Sequence, residues 1–414
     1  MARIPATDRT GLDGATFRAL ISPAGRAVLA RLASEDLSDG AALALLTRLR
    51  RDLPPNVAGA ALSIARLRVR AASKFSRADS MFFTPDGLEQ ASGEIVSGWR
   101  ARRFAGYARA ADLGCGIGGD TLALAALPGL EIVALDRDSL RLHMARANLD
   151  AYARYAHIVQ ADLRDSLPLR GIPAAFFDPA RREGERRVFS VRDYTPPLDV
   201  IVGWGFDALA VKLSPGVNLD ELRLYTDSGA GVEFISLGGD LKEAVLWGGA
   251  FGFAGRQAAR LGLDGTADSL RLSGLPAPPV EPPHAYLLEP DPAVIRAGLF
   301  GELAARLDVH LYRLDESIAY LTADAWIESP WVRVWRIRDW LPFNLKRLRA
   351  MLQAAGIGRV TVKKRGSPIP PEELIARLKL RGGDRSAVVV LTLIAGQHSA
   401  ILCDELMTTP PMVP

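Results

Sequence analysis

Lysine is scarce in this 414-residue chain, with 7 lysines against 44 arginines. Cysteine is scarcer: Cys115 and Cys403 stand alone, which excludes a disulfide scaffold and fits a reducing compartment. No apolar run approaches the roughly 18 residues that a membrane-spanning helix requires. The opening stretch, MARIPATDRTGLDG, lacks the apolar core of a secretory signal. His143, His157, His284, His310 and His398 are scattered without metal-ligand spacing, so no metal is expected. These absences leave a cytoplasmic protein with no membrane partner as the expectation. Hydrophobic residues make up 49% and charged residues 24%, ample for a core, and the length suits two or three domains of roughly 100–200 residues.

The net charge of +4 hides an uneven distribution. Residues 1–110 carry 17 basic and 10 acidic side chains, residues 111–330 carry 20 and 31, and residues 331–414 carry 14 and 6. An acidic middle lies between two basic arms. Basic surface on separate modules suits a polyanion, because neutralised phosphates release counterions.

Residues 1–72 read as a helical domain, with apolar residues at three- and four-residue spacing in GAALALLTRLRRDL and NVAGAALSIARLRVRAA. The stretch 73–275 reads as an α/β domain. A helix is expected from Thr84-Pro85-Asp86, and then short apolar strands (ARAADLG, EIVALD, AHIVQAD, AAFFDPA, ALAVKLSP, VEFISLGG) alternate with helices, the pattern of a parallel sheet covered on both faces. Residues 276–328 read as a proline-rich connector followed by helix, and 329–414 as a small basic α/β module.

The densest signal is Asp112-Leu113-Gly114-Cys115-Gly116-Ile117-Gly118-Gly119-Asp120, where a strand turns into a helix. Its glycines satisfy the dinucleotide pattern, which admits an NAD-dependent oxidoreductase. Three carboxylates favour another ligand. Asp112 could accept from an ammonium, Asp136 ends the next strand where an acid can hold ribose hydroxyls, and Asp162 ends the third within reach of an adenine amine. Asp120 reads as a helix N-cap.

This constellation resembles the class I S-adenosylmethionine-dependent methyltransferases from Ala111 to about Gly239. The whole chain also looks like a bacterial family of such enzymes with a C-terminal THUMP-like domain, on the residues FFTPDGLEQAS, FFDPARR, EPDPAVIRAGL, and TVKKRGSP with the closing hairpin. The resemblance implies a Rossmann-like class I sheet, S-adenosylmethionine as cofactor held by Asp112, Gly114, Gly116, Gly118, Asp136 and Asp162, and structured RNA (rRNA or tRNA) as substrate. A non-catalytic RNA-binding adaptor with a retained nucleotide pocket is the rival from another class.

The methylated atom stays open between a base nitrogen and a ribose 2′-hydroxyl. Asp178-Pro179 resembles the start of the Asp-Pro-Pro-aromatic motif of amino-directed enzymes, but Ala180 and Arg181 replace its second half. Lys74, Asp178, Lys212 and Glu233 resemble, in order, the Lys-Asp-Lys-Glu tetrad of ribose 2′-O-methyltransferases, in which a lysine of lowered pKa would deprotonate the hydroxyl. Neither cysteine is placed as a nucleophile for carbon methylation. Candidate phosphate contacts are Arg333 and Arg336 on a strand with Trp331 and Trp335, Lys346 and Arg347 on a helix, and Lys363-Lys364-Arg365. The indoles fit either base stacking or the core.

Overall fold

The computed structural model describes residues 12–405 apart from 166, 181, 184–185, 188–189 and 381, so Arg181 lies outside the described residues. The chain divides into two compact units: residues 1–232 with 243–254, and residues 233–242 with 255–414.

The first unit opens with four helices, α1 (Gly14–Ile21), α2 (Pro23–Leu32), α3 (Asp39–Leu49) and α4 (Pro55–Ala71). Asp13 and Ser22 cap α1 and α2, accepting from Thr16 N at 2.7 Å and Gly25 N at 3.1 Å. Next come α5 (Pro85–Gln90), which starts at the Thr84 cap with Pro85 in its first turn, and α6 (Glu94–Ala101). Fully buried Asn148 fastens this leading segment to the strand-bearing part of the unit. Its amide bonds both main-chain groups of Phe82, at 2.7 and 3.1 Å, and the Ile117 carbonyl at 2.9 Å.

The six strands read from the sequence are all present. They are β1 (Arg109–Leu113), β2 (Glu131–Asp136), β3 (His157–Gln160), β4 (Ala174–Phe177), β7 (Ala208–Leu213) and β8 (Gly231–Leu237); a short ribbon, β5 (Arg182–Glu183) and β6 (Arg186–Arg187), follows β4. A further strand, β9 (Asp240–Gly249), was not anticipated. Within the first unit the order is β9-β7-β4-β1-β2-β3, parallel except for β9, which runs antiparallel to β7. Helices α7 (Gly119–Leu124), α8 (Ser139–Ala151) and short α9 (Arg223–Thr226) complete it. All four side chains of β4 are buried, as a central parallel strand demands. Leu113 pairs with Phe177, so the chain leaving β1 passes directly beside the chain leaving β4.

The second unit has an antiparallel pair, β10 (Arg256–Leu261) and β11 (Ala267–Arg271), and a seven-stranded sheet. That sheet contains β12 (Tyr286–Pro290), β13 (Tyr312–Asp315), β14 (Ile318–Ala323), β15 (Val332–Pro342), β16 (Ile357–Lys364), β17 (Arg385–Ile394) and β18 (Gln397–Cys403), in the order β13-β14-β12-β15-β18-β17-β16. Its helices are α10 (Pro292–Ala297), α11 (Phe300–Leu307), α12 (Leu345–Ala354) and α13 (Pro371–Leu378). Residues 276–328 are therefore more than a connector with helix, since three of their segments pair into the same sheet as β15–β18. Alternation along β17 sends Val389 and Leu391 under Leu348, Leu352 and Leu374, while Val388 and Val390 face Trp335 and Tyr320 on the other side.

The connector is anchored at His284. Its ring stacks on Tyr312 with centroids 4.5 Å apart, and its two nitrogens meet Asp324 Oδ1 at 2.7 Å and Glu281 Oε2 at 3.0 Å. The Asp324 contact raises the histidine's pKa, helped by Glu281. A raised pKa gives stability that is present below the unfolded value and lost as pH rises through the folded one. His284→Asn is thus expected to lower Tm more at pH 6 than at pH 9; equal losses at both pH values would show that the charge contributes nothing.

Candidate active site

Two strand ends make the site. From β1 the chain turns through Gly114 (φ +84°) and Gly116 (φ +55°), both in the left-handed region that side chains resist. A Cβ on Gly114 would stand 2.8 Å from the Asp178 carbonyl, so only glycine lets the turn run past the end of β4. Gly116 faces open space and donates its N–H to Asp136 Oδ2 at 2.9 Å. The other Asp136 oxygen accepts from Asp138 N at 2.9 Å, which leaves the carboxylate's outer lone pairs for hydroxyls.

Asp112 is fully buried. Its Oδ2 accepts from the Thr121 hydroxyl at 2.5 Å, while its Oδ1 has no hydrogen-bond partner among the described residues. Burial first, then Asp120 nearby, push its pKa up to about 8. An orphaned acceptor beside an open glycine turn fits a ligand ammonium, because a buried polar atom without a partner is costly.

At the end of β4, Asp178 Oδ2 accepts from Lys212 Nζ at 2.7 Å, and the same ammonium donates to the Gln90 carbonyl at 3.2 Å. The Lys212 side chain is only 4% exposed, whereas that of Asp178 is 20% exposed. Lys74 Nζ donates to the carbonyls of Leu88, Ala91 and Glu89 at 2.8, 3.0 and 3.3 Å, the last carbonyls of α5 and its exit. Glu233 is fully buried in the second unit and accepts from Gln257 Nε2 at 2.8 Å; Gln257 in turn accepts from Arg271. Of the four residues matched to the tetrad, the structure joins Asp178 and Lys212 directly and engages Lys74 and Glu233 with other partners.

The ion pairs of Asp120, Arg100 and Glu243 were not legible in the sequence. Asp120 does not cap α7, whose N-cap is Gly118; it accepts from Arg100 Nη2 at 2.6 Å. Arg100 also contacts Glu243 on β9. Gly118, expected at the cofactor, also packs closely on α8, since a Cβ there would press on Ala145 at 3.2 Å.

The comparisons with known proteins agree with this geometry. The chain is 35% identical over 348 residues to an uncharacterised S-adenosylmethionine-dependent methyltransferase of Mycobacterium tuberculosis, covering 81% of this chain and 93% of that protein, in strain H37Rv as in strain CDC 1551. The chain belongs to the S-adenosylmethionine-dependent methyltransferases. A THUMP domain-like family model matches residues 332–405 of this methyltransferase, and a domain of unknown function (DUF8688) matches residues 13–71. A methyltransferase-like protein of Porphyromonas gingivalis W83 shares its fold, with TM-score 0.70, 21% identity, 89% of this chain covered and 98% of that one. The oxidoreductase reading of the glycine turn is thereby set aside, and the cofactor is S-adenosylmethionine.

Three groups of the methyltransferase's candidate residues have partners within the fold. Asp162 is clasped by Arg164, through Nε at 2.9 and 3.1 Å and Nη2 at 2.5 Å, which holds its pKa down to about 2. Trp331 and Trp335 are core residues: the Trp331 indole donates to Asp268 Oδ2 at 2.9 Å, and Lys363 Nζ lies 4.3 Å from the Trp335 ring centroid. Lys363 and Arg365 both bond Glu289, at 2.6 and 3.3 Å, so their charge is partly spent within the fold. Arg333, Arg336, Lys346, Arg347 and Lys364 are exposed. Among the described residues no helix is long and apolar enough to cross a membrane, and no cluster of three or more His, Cys, Asp or Glu could hold a metal ion.

The raised pKa of Asp112 has a calorimetric consequence. With its pKa raised to about 8, this carboxyl is expected to hold a proton at pH 7 in the free enzyme. An arriving ammonium favours the carboxylate, so binding should expel close to one proton more than it does in Asp112→Asn. The slope of binding enthalpy against buffer ionisation enthalpy measures this, and identical slopes for the two proteins would contradict the assignment.

Proposed function

We propose that the enzyme methylates a base nitrogen of RNA, with Asp178 as the catalytic residue that accepts a hydrogen bond from the target nitrogen. The observation that carries this is the burial of the Lys212 ammonium behind Asp178, bonded to that carboxylate and to the Gln90 carbonyl. Its N–H groups are spent on that carboxylate and carbonyl, so we read Lys212 as a positioning donor and not as the general base. The partly exposed Asp178 carboxylate then orients the target N–H and takes its proton. When bound, S-adenosylmethionine supplies a methyl group on a sulfonium. Asp136 and the amides of the glycine turn fix the cofactor, Asp112 takes its ammonium, and Lys212 holds Asp178 in place through their hydrogen bond. The Asp178–Lys212 contact also favours a second reading, in which the target is a ribose 2′-hydroxyl. Against it, Lys74 and Glu233 are bonded to other groups.

RNA as the substrate rests on the THUMP-like match and on exposed cations. Lys346 and Arg347 occupy the first turn of α12, which contains no acidic residue, so they stand against the helix dipole and suit an external anion. In this reading residues 1–72, 73–275 and 329–414 are the helical, catalytic and RNA-docking parts. Lys346→Glu/Arg347→Glu should weaken RNA binding and flatten its salt dependence by about 0.7 per lost phosphate contact, with cofactor affinity unchanged. An unaltered salt slope would remove this helix from the interface. Transfer of labelled methyl to total RNA, followed by digestion to nucleosides, tests the function itself: label should appear in a base-methylated nucleoside, and label on ribose would favour the second reading.

A further inference from the structure

The geometry points to Arg100 as a positioning residue that ties the cofactor turn to the substrate-facing Asp178; this deepens the reading of Asp178 above and rests on it. Arg100 leaves α6 and is 2% exposed. Its Nη2 donates to Asp120 Oδ1 at 2.6 Å, its Nε lies 2.8 Å from Glu243 Oε1, and its guanidinium carbon sits 4.5 Å from the centre of the Phe176 ring. Each contact leads to the site. Asp120 precedes Thr121, whose hydroxyl holds Asp112. Glu243 adjoins the stretch of β9 that pairs with Leu213 and Lys212. Phe176 lies two residues before Asp178 on β4. One cation therefore touches the start of α7, the strand beside Lys212 and the strand that carries Asp178.

The charges around it come from every adjoining element: Asp112 from β1, Asp120 from α7, Asp178 from the end of β4, Lys212 from β7 and Glu243 from β9. Four carboxylates share two cations. Such a cluster is a poor source of stability, because desolvation offsets most of the attraction and apolar side chains of equal volume often do as well. Moreover, Arg100 Nη1 has no hydrogen-bond partner among the described residues, and Nε and Glu243 Oε1 are in contact without hydrogen-bond geometry. The arrangement orients carboxylates better than it glues helices.

The test compares Arg100→Met, Arg100→Lys and Phe104→Leu, the last a buried control outside the cluster. Cofactor Kd, Tm and single-turnover rate at saturating cofactor and RNA are measured for each. Arg100→Met should raise Kd and lower the rate by about tenfold or more each, beyond Phe104→Leu at matched Tm loss, and Arg100→Lys should recover part of both. Because Arg100 favours the ionised form of Asp112, the proton release that Asp112 contributes on cofactor binding should persist to higher pH in Arg100→Met than in the wild type. If Arg100→Met does not fold, Arg100→Met/Asp120→Asn/Glu243→Gln, which removes the stranded charges, carries the same measurements. Wild-type Kd, rate and proton release in a folded variant would overturn the proposal. Should Asp178→Ala remain active, the reading of Asp178 fails, whereas cofactor Kd and proton release still decide the link from Arg100 to the cofactor turn.

Discussion

Asp178→Ala is expected to reduce the single-turnover rate by roughly 10²–10⁴-fold, the contribution of a positioned proton acceptor, with cofactor affinity nearly unchanged. Asp178 is the partly exposed member of its ion pair, and both readings of the target atom put it against substrate. Lys212→Ala separates those readings. If the target is a base nitrogen, Lys212 acts only through Asp178. The partly exposed carboxylate can recover hydration, so the rate at saturating RNA should fall by about tenfold, near 1.4 kcal/mol. If the target is a 2′-hydroxyl and Lys212 is its base, the loss should match that of Asp178→Ala. Saturation removes the binding contribution, so the comparison reads the chemical step.

Asp136→Ala should be the most damaging single change for the cofactor. The carboxylate accepts from Gly116 N and Asp138 N, at 2.9 Å each, and in the proposed site it also holds the ribose. Its removal frees the glycine turn and deletes the ribose contact together. One charge-assisted hydrogen bond is worth about 1.5–3 kcal/mol, so Kd should rise by at least about tenfold and by two orders of magnitude if both effects add. Calorimetry on folded Asp136→Ala checks this, and unchanged affinity would move the ribose elsewhere.

Much of the sheet was legible because its strands are short apolar runs separated by helical periodicity, and because Gly114 sits where a backbone must pass close to another while Gly116 takes a left-handed turn. Strand β9 was missed although Gly238-Gly239 between two apolar runs is a hairpin signal; its opening, DLKE, is polar. Strands β13 and β14 meet at Glu316-Ser317, a two-residue turn without glycine, and β12 hides between prolines. What no local pattern could reveal was pairing over distance. Arg100 meets Asp120 from 20 residues away and Glu243 from much further along the chain, and Lys363 meets Glu289 from 74 residues away. Residue order likewise pointed to Glu233, and it did not reveal that Glu243, one strand later, lies within electrostatic reach of Lys212.

The central claim is most directly tested by nucleoside mass spectrometry of total RNA from a strain lacking this gene, complemented with the wild type or with Asp178→Ala. The account predicts that one base-methylated nucleoside disappears on deletion, returns with the wild type and stays absent with Asp178→Ala. An RNA nucleoside profile unchanged by the deletion would contradict it.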